Sequence, residues 1–291
     1  MLKFIYILFI LTGVLMKSSN EIEYDFSKPN LNDVLPPILH EISGLTIIDS
    51  STIACIQDED GILFIYNIKS HKITQQHTFA LKGDYEGITL VNDFLYVLRS
   101  DGVLFEINNY KSNKLKVKTY PTRVPAINNE GLCFDSQNNR LLIGAKGKIN
   151  KDPQNRDNRY IYAFDLKTKS LNQTPAYEFN VVDINLTAKM QGVKFVKKQT
   201  KKGEIVEHAF KFNTSEISIH PITHQLYVIS ATDHVLFIFN KSGILEHIEQ
   251  LNPITFNKAE GLDFFQNGDI LISNEGQAHQ PTLLRFNYQV K

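Results

Sequence analysis

Three glutamates, Glu86, Glu130 and Glu260, each stand directly before a glycine and then an Ile or Leu. Ser43 and Ser215 hold the same place in Ser43-Gly44-Leu45 and Ser215-Glu216-Ile217. Fifteen positions after these five residues come Asp58, Asp101, Ala145, Ser230 and Glu275; two positions before them come Glu41, Asp84, Asn128, Asn213 and Lys258. If the fold gathers these side chains, their carboxylates repel one another. A hard divalent cation such as Ca²⁺, which takes about six to eight oxygen ligands, relieves that repulsion. A raised carboxyl pKa is the other relief and suits general acid–base work. Glu86, Glu130, Glu260, Asp58, Asp101 and Glu275 are therefore the candidate metal ligands, with Ca²⁺ the one cofactor suggested. Ser43, Asp84, Asn128, Ser215 and Asn274 are the candidate ligand-binding residues. A purely architectural role stays open beside these, in which the residue before each glycine caps backbone N–H groups and the glycine admits a neighbouring strand.

What would gather them is the repeat itself. The sign recurs at steps of 43, 44, 85 and 45 residues, and a period of roughly 40–45 residues is that of a four-stranded propeller blade. The second repeat spells one blade: Gly87 to Val91, Phe94 to Leu98, Val103 to Ile107 and Leu115 to Tyr120, parted by Asn, Asp, Ser and Gly turns. The prediction is an all-β, five-bladed β-propeller, with six blades as the alternative. In a propeller the start of the innermost strand and the end of the next open at one channel mouth, which places both acidic sets together. The double-length step is read as an inserted hairpin at about 183–212, with strands at 193–196 and 204–210. The last repeat lacks room for a fourth strand. The alternation of Ile22, Tyr24 and Phe26 with Glu21, Glu23 and Asp25 predicts that an N-terminal strand closes the ring.

Composition narrows the function classes. Apolar residues make up 42% and charged residues 21% of the 291, enough for a sizeable core. Lys+Arg and Asp+Glu are both 31, which gives no support for a nucleic-acid partner. Five lysines from Lys194 to Lys202 fall within the insertion and read as a solvated hairpin face. Residues 1–20 combine Lys3, an apolar run from Phe4 to Met16 and a polar Lys-Ser-Ser-Asn end, the pattern of a signal peptide or a short uncleaved membrane anchor. Residues 21–291 then form a single domain. Cys55 and Cys133 fall in predicted inner strands of different blades and read as buried thiols. No paired zinc spacing, phosphate loop or Gly-x-Ser-x-Gly elbow is present, so no catalytic nucleophile is expected.

Several segments together resemble the SdiA-regulated (YjiK-like) family: His40 to Leu45, Ile56 to Gly61, Gly83 to Ile88, Val97 to Gly102, Asn129 to Leu132, Ile219 to Thr223, Ala259 to Leu262 and Ser273 to Gly276. The resemblance spans about residue 34 to the C-terminus. It implies a five-bladed propeller in the bacterial cell envelope, periplasmic or associated with the plasma membrane, of unestablished biochemical role. One departure is Ser215-Glu216-Ile217, where members commonly carry Ser-Gly-Ile. The expected function is a binding or scaffold protein for an unknown envelope ligand or protein, with a divalent-cation or small-ligand site at the acidic mouth. A calcium-dependent hydrolase, lactonase-like or phytase-like, is the alternative.

Overall fold

The structure, a computed structural model, describes residues 23–112, 114–126, 128–150, 152–199 and 203–289. The leader at 1–20, Glu21 and Ile22 lie outside the described residues. Blade 1 comprises β2 (Ile42–Ile47), β3 (Thr52–Gln57), β4 (Ile62–Asn67) and β5 (Lys72–Thr78); blade 2 comprises β6 (Tyr85–Val91), β7 (Phe94–Arg99), β8 (Val103–Asn108) and β9 (Lys116–Pro121). Blade 3 holds β10 (Asn129–Asp135), β11 (Arg140–Ala145) and β12 (Asn158–Asp165), with its outer strand split into β13 (Ser170–Leu171) and β14 (Tyr177–Asn180). Blade 4 holds β17 (Glu216–Ile219), β18 (Leu226–Ser230), β19 (Val235–Phe239) and β20 (Leu245–Gln250). Blade 5 is β21 (Ala259–Phe264), β22 (Ile270–Asn274) and β23 (Thr282–Phe286), completed by β1 (Leu31–Val34) from the other end of the chain. The predicted five-bladed β-propeller is thus observed.

Successive strand residues point to opposite faces, and here both faces are covered. In β7, Leu95 and Val97 enter the wedge shared with blade 1, while Tyr96 and Leu98 enter the wedge shared with blade 3. That is why the inner strands read as unbroken apolar runs rather than alternating ones. Five such wedges hold the apolar core, one between each pair of neighbouring blades. Outer strands such as β5 alternate between exposed and half-buried residues. Both cysteines are free and buried, and burial pushes the Cys55 thiol up to about 12.

Ring closure corrects one expectation. An N-terminal strand does complete blade 5, but it is Leu31–Val34, paired antiparallel so that Leu31 faces Arg285 and Val34 faces Thr282. The alternation around Tyr24 and Phe26 is real, yet it serves docking rather than pairing. Both rings insert between blades 4 and 5, Phe26 lying 4.9 Å from Phe286 and Tyr24 5.7 Å from Tyr288. Pro29, which has no N–H to give, separates that anchor from the ladder. Asp33 pins the closing strand to blade 1, accepting from the Tyr66 hydroxyl at 2.6 Å and pairing with His71 Nδ1 at 2.8 Å. Asp33→Asn should lower unfolding free energy by about 1–2 kcal/mol in urea denaturation, the scale of a buried bond to a charged group. A midpoint equal to wild type would show that these bonds do not secure the ring.

The insertion also differs from expectation. A hairpin is present but short, β15 (Lys197–Gln199) with β16 (Ile205–Glu207), and a helix, α1 (Val181–Met190), precedes it. Asn180 caps that helix, its side chain accepting from Val182 N–H and Asp183 N–H. Ile184 and Ala188 bury one helix face against blades 3 and 4. The Asn185 amide then ties α1 to the returning chain, donating to Phe210 O and accepting from Phe210 N–H at 2.8 Å.

Candidate functional site: an acidic channel mouth

Each inner strand enters the ring through the repeat sign, and the backbone there is specialised. In β2, β6, β10 and β21 the pairing register slips by one residue at Ser43, Glu86, Glu130 and Glu260. Such a bulge re-aims a side chain that would otherwise alternate into a wedge. The following glycine lets adjacent inner strands touch: a Cβ on Gly87 would lie 2.7 Å from Leu132 Cβ and 2.8 Å from the Glu130 carbonyl oxygen. Blade 4 lacks both features. Its strand starts on Glu216 opposite Ile229, without a register slip.

The sequence-predicted residues separate into a collar and bystanders. Glu86, Glu130 and Glu260 are buried and act on one another electrostatically, as do Asp58 and Glu275. Asp84 stands close enough to raise Glu86. Ser43 is spent on architecture, its hydroxyl donating to the Tyr85 carbonyl at 2.7 Å, and the Ser215 hydroxyl accepts from Ala231 N–H at 3.3 Å. Asn274 is wholly buried and donates to Thr255 O and to the Thr282 hydroxyl. Asn128 is half-buried at the entrance of β10. Asp101 is not in the collar; it is exposed and held by a two-pronged Arg99 pair at 2.9 Å, which keeps its carboxyl below the usual range.

Two lysines complete the mouth. Lys146 pairs with Glu130, and Lys258 pairs with both Glu275 and Glu260, the latter at 3.3 Å. Burial alone would lower these ammonium groups, but their carboxylate partners hold both above the ordinary lysine value. The sequence reading noted Lys258 and missed Lys146, although it directly follows the position that Asp58 and Glu275 occupy in other blades.

Proton affinities across the collar are spread. Burial, followed by Glu130, Asp84 and Glu260, pushes Glu86 up to about 9. Burial also raises Glu130, but Lys146 pulls against it and leaves it at about 7. Asp58 is raised to about 6 by burial and then by Glu41 and Glu275. Glu216 stands deepest. Its Oε1 accepts from Leu132 N–H at 2.7 Å and Ile217 N–H at 2.9 Å, and burial drives its carboxyl well above the ordinary range. At neutral pH Glu86 therefore keeps its proton, and Glu130 stands near half-titration.

Buried oxygens without a hydrogen-bond partner collect at this same end. Within or beside inner strands they are Asn128 Oδ1, Asn129 Oδ1, Glu130 Oε2 and Glu216 Oε2. Asp58 Oδ1, Ser273 Oγ and Asn274 Oδ1 add three from strand ends or just beyond. For Asn129 and Asn274 the amide nitrogens already donate to Ser100 O and Thr255 O, so the free atoms are acceptors. Leaving such groups dry is costly, and natural structures satisfy them with water or ligand.

Among the described residues no three His, Cys, Asp or Glu side chains converge in a way that could hold a metal ion. The donor set explains this: Lys146 and Lys258 already bring to Glu130, Glu260 and Glu275 the positive charge a dication would supply. The opposite mouth is a cleft of about 830 Å³. Its half-buried acid, Asp263, is engaged, accepting from the Thr46 hydroxyl, Ile47 N–H and Phe264 N–H. It joins blade 5 to blade 1 rather than awaiting a ligand.

Fold and mouth together define the class, a five-bladed propeller with a mixed acidic and ammonium collar at one end of its channel. No protein-family model matches the sequence, and no curated protein matches it either. Among solved structures the chain is similar to the glutaminyl cyclase of Myxococcus xanthus, at 13% identity over 91% of this chain and 97% of that one, with a TM-score of 0.57. It also aligns with streptogramin B lyase, at 11% identity, 87% and 84% coverage and a TM-score of 0.46. A luciferin-regenerating enzyme aligns at 10% identity, 89% and 95% coverage and a TM-score of 0.45. At these identities the likeness to the cyclase shows the fold alone, and the other two carry no argument about chemistry.

Proposed function

We propose that this chain is an exported envelope propeller of the SdiA-regulated type that binds a small, donor-rich polar ligand at its acidic mouth. The observation that carries the reading is the gathering of seven unpartnered buried oxygens at that one end. Five of these atoms, on Asp58, Asn128, Asn129, Glu130 and Asn274, are acceptors, and acceptors so placed favour a molecule presenting N–H or O–H groups, such as an amine or a polyol. Calorimetric titration of the protein with amines, polyols and CaCl₂ tests this. The expected result is heat from at least one amine or polyol, lost in Glu130→Gln. Calcium binding lost in both Glu86→Gln and Glu130→Gln would replace the organic ligand with a metal. Silence from every probe would overturn the site.

A second reading, a hydrolase, is favoured by the neighbouring carboxyls at about 9 and about 7, the separation that assigns one group as acid and the other as base. Lactone and phosphoester turnover would then follow a bell-shaped pH profile between those two values and disappear in Glu130→Gln. Chelator-insensitive turnover would favour carboxyl chemistry; loss with chelator would favour the calcium-dependent form.

A further inference from the structure

Half of the exposed large apolar side chains, six of twelve among the described residues, belong to the short insertion between 182 and 206. On α1 the reason is periodicity. Ile184 and Ala188 face the body, while Val182, Leu186 and Met190 recur every four residues along the opposite side, exposed by 51%, 54% and 88%. Val196, Ile205 and Val206 extend this apolar surface onto the hairpin. An amphipathic helix normally turns such a stripe inward; here a second apolar stripe faces out.

The surroundings of the stripe indicate what covers it. Lys189, Lys194 and Lys197 are exposed beside it, and the sequence from 194 to 203 carries five lysines with no acidic residue among them. The Lys189 ammonium lies 5.9 Å from the Phe195 ring and pairs with Glu207 at 3.8 Å. The acids of the unit are Asp183, Glu204 and Glu207, three against the six lysines between 189 and 202, so the insertion carries a net positive charge. Exposed apolar side chains neighboured in sequence by long cationic ones match a surface with anionic headgroups over hydrocarbon, into which lysine stems extend while their ammonium groups stay at the phosphates. Among the described residues no helix is long and apolar enough to cross a membrane, so the contact is interfacial.

We infer that the insertion, through α1 and the strands β15 and β16, is a membrane-facing element that seats these elements in the headgroup layer of an anionic lipid surface. This is independent of the ligand at the channel mouth. It is also distinct from any attachment through residues 1–20, so the test must report on the helix itself.

The chain contains no tryptophan, which makes a single introduced one a clean reporter. In full-length Leu186→Trp protein, vesicles of phosphatidylcholine with about 30% phosphatidylglycerol should shift the emission to the blue, and brominated acyl chains should quench it. Apparent partitioning should be at least about tenfold stronger than with phosphatidylcholine alone and should weaken as salt rises. Adding Met190→Asp should return the emission to its vesicle-free position. Ile254→Trp, at a site 90% exposed but outside the insertion, is the control that should stay unquenched. Quenching at Leu186→Trp no greater than at Ile254→Trp, or equal for both vesicle types, would overturn the inference. So would a blue shift that follows protein concentration without vesicles, since a second copy of the chain would then cover the stripe. Leu186 is exposed, so these variants leave the core intact, and unchanged urea midpoints verify that.

Discussion

Glu86→Gln should make the protein more stable at alkaline pH, not less. The group ordinarily titrates at 4.5, and in the folded mouth at about 9. Between those values the native state holds a proton that the unfolded chain has released. Stability therefore falls as pH rises through that window, by up to about 1.4 kcal/mol per pH unit. Glutamine has the shape of the protonated acid and nothing to lose. Lys146 and water at the open mouth screen part of the penalty, so the expected gain is about 2–4 kcal/mol near pH 8.5, shrinking towards zero near pH 4.5. Urea denaturation of both proteins at the two pH values measures it. A gain of equal size at both, or none at pH 8.5, would show that Glu86 is not held protonated by its surroundings. Glu130→Gln should follow the same sign over a narrower window, ending at about 7.

Gly87→Ala should cost roughly 3 kcal/mol. Its added carbon would meet a Cβ at 2.7 Å and a carbonyl oxygen at 2.8 Å, both on the next blade's inner strand. No flexible side-chain tip is available to yield, so two strands must part, and the ring passes that strain to its other wedges. Gly147→Ala is the matched control, because its added carbon meets only Asn213 Oδ1 at 3.6 Å and should change stability by less than about 0.5 kcal/mol. Equal urea midpoints for the two variants would remove close approach as the reason for the repeat's glycine.

How far the sequence carries can be judged at these same positions. Blade number and strand order follow from the recurring sign because each glycine answers one local demand, repeated at each tight junction between inner strands. Closure by residues 31–34 was harder to read. Tyr24 and Phe26 alternate as a strand would, and only the wedge they fill distinguishes docking from pairing. Helix α1 was missed because Val181, Ile184 and Ala188 lie among many other apolar residues, with nothing in spacing alone to mark which face is covered. At the mouth, Glu86, Glu130, Glu260, Asp58 and Glu275 follow from their offsets in the repeat, whereas Asp101, at the same offset as Asp58, is exposed and bound to Arg99. Lys146 was not legible, since its role depends on which way the chain leaves β11. Glu216 was legible as a departure from the pattern, but the raised proton affinity of its carboxyl follows from burial, which no motif encodes.

The closing strand has a consequence for the order of events as the chain is made. β1 is synthesised first among the strands and its partner β23 last, so blades 1 to 4 can acquire shared wedges while the blade 5 sheet still waits for its tail. Until Thr282–Phe286 appears, β1 and β22 both present unpaired edges, the surfaces on which β proteins join the wrong neighbour. The long separation of those partners also makes their meeting a slow step. Ring completion is thus a race at the end of synthesis between the chain's two ends and any other open edge nearby, and Asp33, reaching across to Tyr66 and His71, is the latch that ends it.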